Sequence, residues 1–176
     1  MATTYQKSTS MLDYLKSVEI SVKNDFIHAD KSEGFIFKPI NDKDRVDLYV
    51  TKVDGVVAGC VVARELKKDD YKMFKEFIPE QNAKFIDKLV IKNWHRKNGL
   101  GQNLINFICN EFESSPIYAV IRLDPDKNMG AVKIAKNLGF KQIGQTEYFN
   151  KDFMDNATWG LFELKAKLIL QDTVAE

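Results

Sequence analysis

Apolar residues recur along this chain in two rhythms, and the places where one gives way to the other mark its elements. From Ser10 onward, Leu12, Leu15, Val18, Val22 and Phe26 follow one another at three and four, which predicts an amphipathic helix capped by Ser10. Before it, only Ala2 to Lys7 could supply a strand, short or missing; after it, Phe35-Ile36-Phe37 reads as extended. Leu48 to Val53 and Val56 to Ala63 are β-branched and flank Asp54-Gly55, so they predict an antiparallel hairpin with a two-residue turn. Ala83 to Lys92 is a further strand, in which Phe85, Asp87, Leu89 and Ile91 share one parity. After Gly99 the period lengthens, and Leu100, Leu104, Ile105, Ile108 and Phe112 fall on one face of a helix ending near Ser114-Ser115-Pro116. Ile117 to Leu123 forms the next strand. Asn128 then caps a helix whose Ala131, Ile134, Ala135 and Leu138 face inward, with Gly139 in the left-handed position beyond its end. Phe140 to Phe149 and Ala157 to Leu164 finish as two strands joined by a polar loop, 150–156, and the tail at 171–176 reads as frayed.

One segment breaks this order. Residues 65–82 separate the hairpin from the strand at Ala83, and Leu66, Phe74, Phe77 and Ile78 suit a short helix ending at Pro79. Its apolar groups either cap the core or form a contact of their own.

Composition narrows the field. A chain of 176 residues is expected to form one domain, 1–176, around a single core. Twenty-six basic against 25 acidic side chains give a net charge of +1, which argues against broad electrostatic binding to nucleic acid or to an anionic membrane. Cys60 and Cys109 lie in apolar settings, and neither they nor His28 and His95 show metal-ligand spacing, so free thiols and no metal site are expected. With no charged start followed by an apolar run, and no stretch of spanning length, the reading is a soluble, cytoplasmic protein.

The chemistry gathers at the change of rhythm after the strand at Ala83. There, Leu89-Val90-Ile91-Lys92-Asn93-Trp94-His95-Arg96-Lys97-Asn98-Gly99-Leu100-Gly101-Gln102 reads as strand, tight loop and helix start. A helix opening on small residues turns unblocked N–H groups and the positive end of its dipole outward, which suits phosphate oxygens. A nucleotide-triphosphatase loop would need Gly-Lys followed by Ser or Thr, and Gly101 is followed by Gln102-Asn103. A dinucleotide fingerprint would need a third small residue where Leu104 stands. The remaining pattern is R/Q-x-x-G-x-G/A, filled by Arg96-Lys97-Asn98-Gly99-Leu100-Gly101, with Ile91 five residues before Arg96.

This resembles the acetyl-CoA pyrophosphate loop of the GNAT N-acetyltransferase superfamily. Asn128-Met129-Gly130-Ala131, Ile134 and Gly139-Phe140 resemble the family's next motif, at the right distance downstream, and the likeness extends over roughly Val46 to Lys165. The alternative for the glycines is a simple tight turn. The resemblance implies a mixed α/β fold: a mainly antiparallel, twisted sheet of six to seven strands, flanked by about four helices and splayed between the fourth and fifth strands. It implies that acetyl-CoA is the cosubstrate. Its pantetheine arm would lie along the backbones of Leu89, Val90 and Ile91, and its pyrophosphate on N–H groups across Arg96, Lys97, Asn98, Gly99, Leu100, Gly101 and Gln102, with Asn128 also on the cofactor side.

Two side chains are candidates for proton transfer on the same grounds. Asp87 stands four residues before Ile91, where some members place a carboxylate that takes the amine's proton; in many others the base is two residues earlier, here Phe85. The competing reading is that Asp87 pairs with Lys84 or Lys88 or caps a bulge. Many members carry a tyrosine where this chain has Ala135, so Tyr148 is the substitute candidate for protonating the departing thiolate, against an ordinary aromatic of a sheet. Lys133 and Lys136 read as solvated rather than as phosphate contacts. The acceptor implied is a primary amine of a small molecule or a peptide. Segment 65–82 would then serve as a lid, as a homodimer contact or as a plain core cap, and its Asp69, Asp70, Glu76 and Glu80 would suit a cationic amine. A non-catalytic acyl-CoA-binding module is the alternative to an enzyme, and Ala135 is the residue that favours it.

Overall fold

The turn at Asp54-Gly55 has both residues in the left-handed region, with φ of 49° and 81°, the geometry whose twist matches that of paired strands. It joins two strands of a seven-stranded sheet. The computed structural model describes residues 2–23, 46–124, 128–150 and 155–166, so the expectations for Phe26, for 35–37, for most of the 150–156 loop and for the tail lie outside the described residues. In chain order the elements are β1 (Thr3–Ser8), α1 (Met11–Lys23), β2 (Val46–Val53), β3 (Val56–Glu65), α2 (Lys68–Tyr71), β4 (Lys84–Ile91), a 3₁₀ turn (Asn93–His95), α3 (Leu100–Glu111), β5 (Ile117–Asp124), α4 (Met129–Asn137), β6 (Lys141–Asn150) and β7 (Asp155–Leu164). The strands lie in the order β1-β2-β3-β4-β5-β7-β6. Every neighbouring pair is antiparallel except β4 and β5, which run parallel.

That parallel pair is the feature that positions the site. Only Lys84, Phe85 and Ile86 of β4 find partners on β5, at Ile117, Tyr118 and Ala119. Beyond them both strands continue without pairing to each other, and β4 stays attached to β3 alone as far as Ile91. The sheet thus opens into a wedge with one backbone edge of β4 facing it.

On one face of the sheet, α3 and α4 close the main core, with Tyr49, Val61, Ile86, Leu104, Ile108 and Phe162 among its buried members. The apolar stripe of α3 lies where its period predicts: Leu100, Leu104, Ile105 and Ile108 are all buried. On the other face, α1 covers β2, β3 and β4, while residues 66–77 cover β5 and β7 through Phe74, Phe77 and Leu66. That stretch is not the helix expected up to Pro79. Only Lys68–Tyr71 is helical, and the chain goes on in three-residue turns, Phe74 N–H to Tyr71 C=O and Phe77 N–H to Phe74 C=O. This spacing sets Tyr71, Phe74 and Phe77 on one side, where Phe77 meets Tyr71 and Tyr118 edge-on at 5.2 and 5.1 Å, and leaves Ile78 88% exposed.

Of the two alternatives for Ala2 to Lys7, the short strand is the one present: β1 pairs with β2 along its length. One other expectation is corrected, because α1 sits with the opposite face inward: Leu12 and Leu15 are exposed, whereas Asp13, Ser17, Ile20 and Ser21 are buried. The polar stripe is accommodated because its groups are satisfied. Asp13 accepts from Ser8 Oγ at 2.7 Å and pairs with Lys52 at 3.0 Å, and the hydroxyls of Ser17 and Ser21 donate back to the carbonyls of Asp13 and Ser17. Beneath them the Cys60 thiol, pushed up to about 11 by burial against some relief from the two serines, is an inert free cysteine; Cys109 is also free.

Candidate functional site

The wedge has a backbone-built side and a side-chain-built side. The first begins where β4 ends. Arg96 turns back and its Nε donates to the Ile91 carbonyl at 3.0 Å, closing the loop over the 3₁₀ turn. Lys97 and Gly99 both take positive φ, 64° and 77°, and between them hold Asn98 in a tight reversal. For lysine this is an uncommon backbone, the kind found where the surroundings hold a loop in one shape. Gly99 caps α3 without a side-chain hydrogen bond, and the first bond inside the helix runs from Asn103 N–H to the Gly99 carbonyl. The N–H groups of Leu100, Gly101 and Gln102 therefore lie in the first turn, where the helix offers them no acceptor.

Gly101 has a different task from Gly99. A Cβ on it would stand 3.3–3.5 Å from Ile134 Cδ1, Ile91 Cγ1 and Leu89 Cδ2, so its lack of a side chain lets α3 press against β4 and α4 at the open end of the wedge. Leu89, Ile91 and Ile134 meet there, which brings the strand and both motif helices to one point. Asn128 caps α4 by accepting from Ala131 N–H at 3.1 Å, so its side-chain oxygen is engaged in the helix. This surround fits an extended arm with a diphosphate at its end: an unpaired strand edge for amides, then a tight loop of N–H groups at the positive end of a twelve-residue helix.

The side-chain-built part faces the α1 side of the sheet. Ile86 is opposite Ala63 and Lys88 is opposite Val62, so Asp87 is the extra residue of a β-bulge. The bulge reverses the strand's phase. Phe85 joins the cluster with Phe74 and Tyr118, while Leu89 and Ile91 face α3, so the single parity expected for 85, 87, 89 and 91 does not hold.

Asp87 Oδ2 accepts from Arg64 Nη2 at 3.1 Å and Nε at 3.3 Å; its hydrogen-bonded partner is thus Arg64, while Lys88 acts on it through charge. Lys84 pairs instead with Glu65. Arg64 lies over the Phe85 ring, 5.0 Å from its centre, and is forked onto both oxygens of Asp70 at 2.6 and 2.7 Å. Burial raises the Asp87 carboxyl above its ordinary value, and the opposing charges of Arg64 and Lys88 do not cancel that effect.

Tyr118, at the base of the wedge, donates to Glu163 at 2.8 Å, and burial, reinforced by that hydrogen bond, pushes its phenol well up. Ala135 is packed in the main core. Tyr148 is exposed on the edge strand β6, and β7 and β5 lie between it and β4, so it is not brought beside Asp87 or the loop. Arg64, which holds Asp87, and Asp70, which holds Arg64, were not singled out from the sequence in these roles. The signal available was weak: one arginine at the end of an otherwise apolar strand.

Among the described residues no cluster of His, Cys, Asp or Glu could hold a metal ion, and no helix is long and apolar enough to cross a membrane. No protein of curated function matches the chain by sequence. Solved structures of the same fold do. One is Arabidopsis thaliana NAA60 in complex with acetyl-CoA, 16% identical, with a TM-score of 0.71 over 93% of this chain and 98% of that one. Another is yncA of Salmonella typhimurium with acetyl-CoA, 14% identical, with a TM-score of 0.69 over 95% of each chain. The ribosomal-protein-S18-alanine N-acetyltransferase of Escherichia coli is 14% identical, with a TM-score of 0.69 over 97% of this chain and 98% of that one. At such identities the likeness concerns the fold. The model of the acetyltransferase (GNAT) family, however, matches residues 14–140, spanning the hairpin, the bulged strand, the glycine loop and α4, and the chain therefore belongs to the GNAT acetyltransferase family.

Proposed function

We propose that the protein is an acetyl-CoA-dependent N-acetyltransferase of the cytoplasm that acts on a primary amine of a small molecule or peptide by direct attack within a ternary complex. The observation that carries the reading is the wedge between β4 and β5, with a loop of free helix N–H groups at its end and a bulged carboxylate, Asp87, at its root. Acetyl-CoA supplies the activated acyl group. The β4 edge at Leu89, Val90 and Ile91 aligns its arm, and the loop from Arg96 to Gln102 holds its diphosphate. Asp87 takes the proton that the amine loses as nitrogen bonds to the acyl carbon. A carboxyl raised by burial is a better base than an ordinary aspartate, which suits that task. A thiol of pKa about 8.5 can depart as thiolate near neutral pH, so the reaction needs no proton donor at Ala135.

The printed names of the fold neighbours support an amine acceptor: one is an N-acetyltransferase of a ribosomal-protein alanine, and NAA60 was captured with a bisubstrate analogue. A second reading, a module that binds acyl-CoA without turning it over, is favoured by one observation, the alanine buried where many members have tyrosine. An acceptor panel with acetyl-CoA, following free thiol release, separates the two. Release with any amine supports the enzyme. A rise in melting temperature with acetyl-CoA but no release across the panel supports the module.

A further inference from the structure

Arg64 holds two carboxylates unequally. Asp70, in α2, receives two short bonds, one on each oxygen, whereas Asp87 receives two longer ones on Oδ2 alone. All three side chains are largely withdrawn from water, with 10% of Asp70, 14% of Arg64 and 20% of Asp87 exposed. The geometry of Asp70 is the bidentate fork that guanidinium prefers, so Arg64 belongs first to Asp70. Asp70 is fixed in turn, because its Oδ2 also accepts from the Lys67 N–H at 2.7 Å. Oδ1 of Asp87 receives no hydrogen bond among the described residues. The carboxylate at the bulge is thus tethered by one oxygen and open at the other.

We propose that Arg64 is a positioning residue for Asp87, and that Asp70 governs how firmly Arg64 grips it. The segment 65–82 would then reach the chemistry through one carboxylate rather than as a lid. The charge count makes the direction definite. Two carboxylates and one guanidinium sum to −1, so Asp87 is oriented by a cation that is already neutralised. Without Asp70, the same cation would turn its full charge on Asp87 and hold it deprotonated, a weaker base. Without Arg64, Asp87 would be left buried beside Asp70 with only Lys88 to favour its ionised form. The charged groups acting on Asp87 are Arg64 from β3, Lys88 from its own strand and Asp70 from α2; on β5, Tyr118 lies opposite Phe85 and donates to Glu163.

The experiment is a carbon-13 titration of the Asp87 side-chain carboxyl in the full chain, assigned with Asp87→Asn, compared among the natural sequence, Asp70→Asn and Arg64→Gln. Asp70→Asn should move the titration to lower pH and Arg64→Gln to higher pH. Opposite displacements support the proposal; a common direction, or no displacement in either variant, overturns it, since general loosening would not sort the two by sign. Removing Arg64 leaves two buried carboxylates without their shared cation, which destabilises the fold. Should Arg64→Gln not fold, Asp70→Asn carries the test, because its amide keeps an acceptor for Lys67 N–H: a downward displacement supports, and none overturns.

The catalytic consequence rests on the proposed acetyl transfer. In an acceptor assay, the acid limb of kcat/KM should follow each displacement, with acetyl-CoA affinity unchanged. Carboxyl titrations that shift as stated, in a protein whose acid limb stays fixed, would leave the tether standing and remove Asp87 from the role of base.

Discussion

The two sides of the wedge are built from different material. On the α3 side it is main chain: a strand edge that β5 leaves unpaired, a loop bent through Lys97 and Gly99, and the first turn of a helix. On the α1 side it is three charged side chains from β3, β4 and α2, sorted by hydrogen bonds across 6 and 23 residues of sequence. The contrast teaches where specificity can reside. A main-chain surface recognises a constant partner, since amide groups do not change with substitution. A surface of paired side chains can be retuned by one mutation, and under the proposed function it is the one that would answer to a variable acceptor.

The largest expected effect breaks the main-chain side. Gly101→Asp would force a carboxylate toward Ile134, Ile91 and Leu89, where even a Cβ is tight, and would repel a diphosphate at the helix start. Thermal melts should show a lower transition without ligand and no rise on adding acetyl-CoA. A normal rise in that variant would sink the loop assignment.

Next in size is Asp87→Asn on the side-chain side. Turnover at neutral pH should fall by roughly 10²–10⁴, the usual worth of a positioned base, while acetyl-CoA affinity holds. Activity should recover as pH rises and the amine loses its proton unaided. In the natural sequence, activity should fall on acidification as Asp87 is protonated, and this should begin above the pH at which an unperturbed aspartate titrates, because its carboxyl is raised. A folded Asn variant with full activity across the range would end the role of Asp87.

A smaller, opposite test concerns Ala135→Tyr. The alanine is 6% exposed within the main core, so the added ring should cost about 1–3 kcal/mol of stability by denaturant unfolding. Faster turnover in a folded variant would show that a proton donor had been wanting. The smallest change is expected from Tyr148→Phe, less than about tenfold in turnover, given its exposed place on the edge strand; a larger loss with binding intact would bring β6 into the site.

How much of this was legible in the chain follows the same division. Arg96, Gly99 and Gly101 announce the main-chain side because loop, cap and helix start are neighbours in sequence, and local geometry dictates their residue types. Asp87 could be noticed, but its hydrogen bond to Arg64 depends on a strand register that no local pattern states. The face of α1 was illegible for a related reason. Its period revealed the helix, yet the buried stripe runs through Asp13, Ser17 and Ser21, whose polarity is satisfied by Ser8, Lys52 and back-bonded carbonyls. Hydrophobicity alone counts such residues as outward-facing.

The bulge at Asp87 also bears on which insertions and deletions this chain can tolerate. Ile86 and Leu89 both belong to the α3 side although three positions apart, so β4 consists of two half-strands in opposite phase, joined by a one-residue hyphen. Losing that residue need not break the strand. It would set Lys88 directly after Ile86, opposite Val62 as it already is, and leave Leu89, Val90 and Ile91 on the faces they now occupy, so that the carboxylate of Asp87 is what the chain would lose. A gap in an alignment should therefore be expected at this point among relatives lacking the bulge. A reading frame of strict alternation, carried straight through from Lys84 to Ile91, will assign one half of the strand to the wrong side.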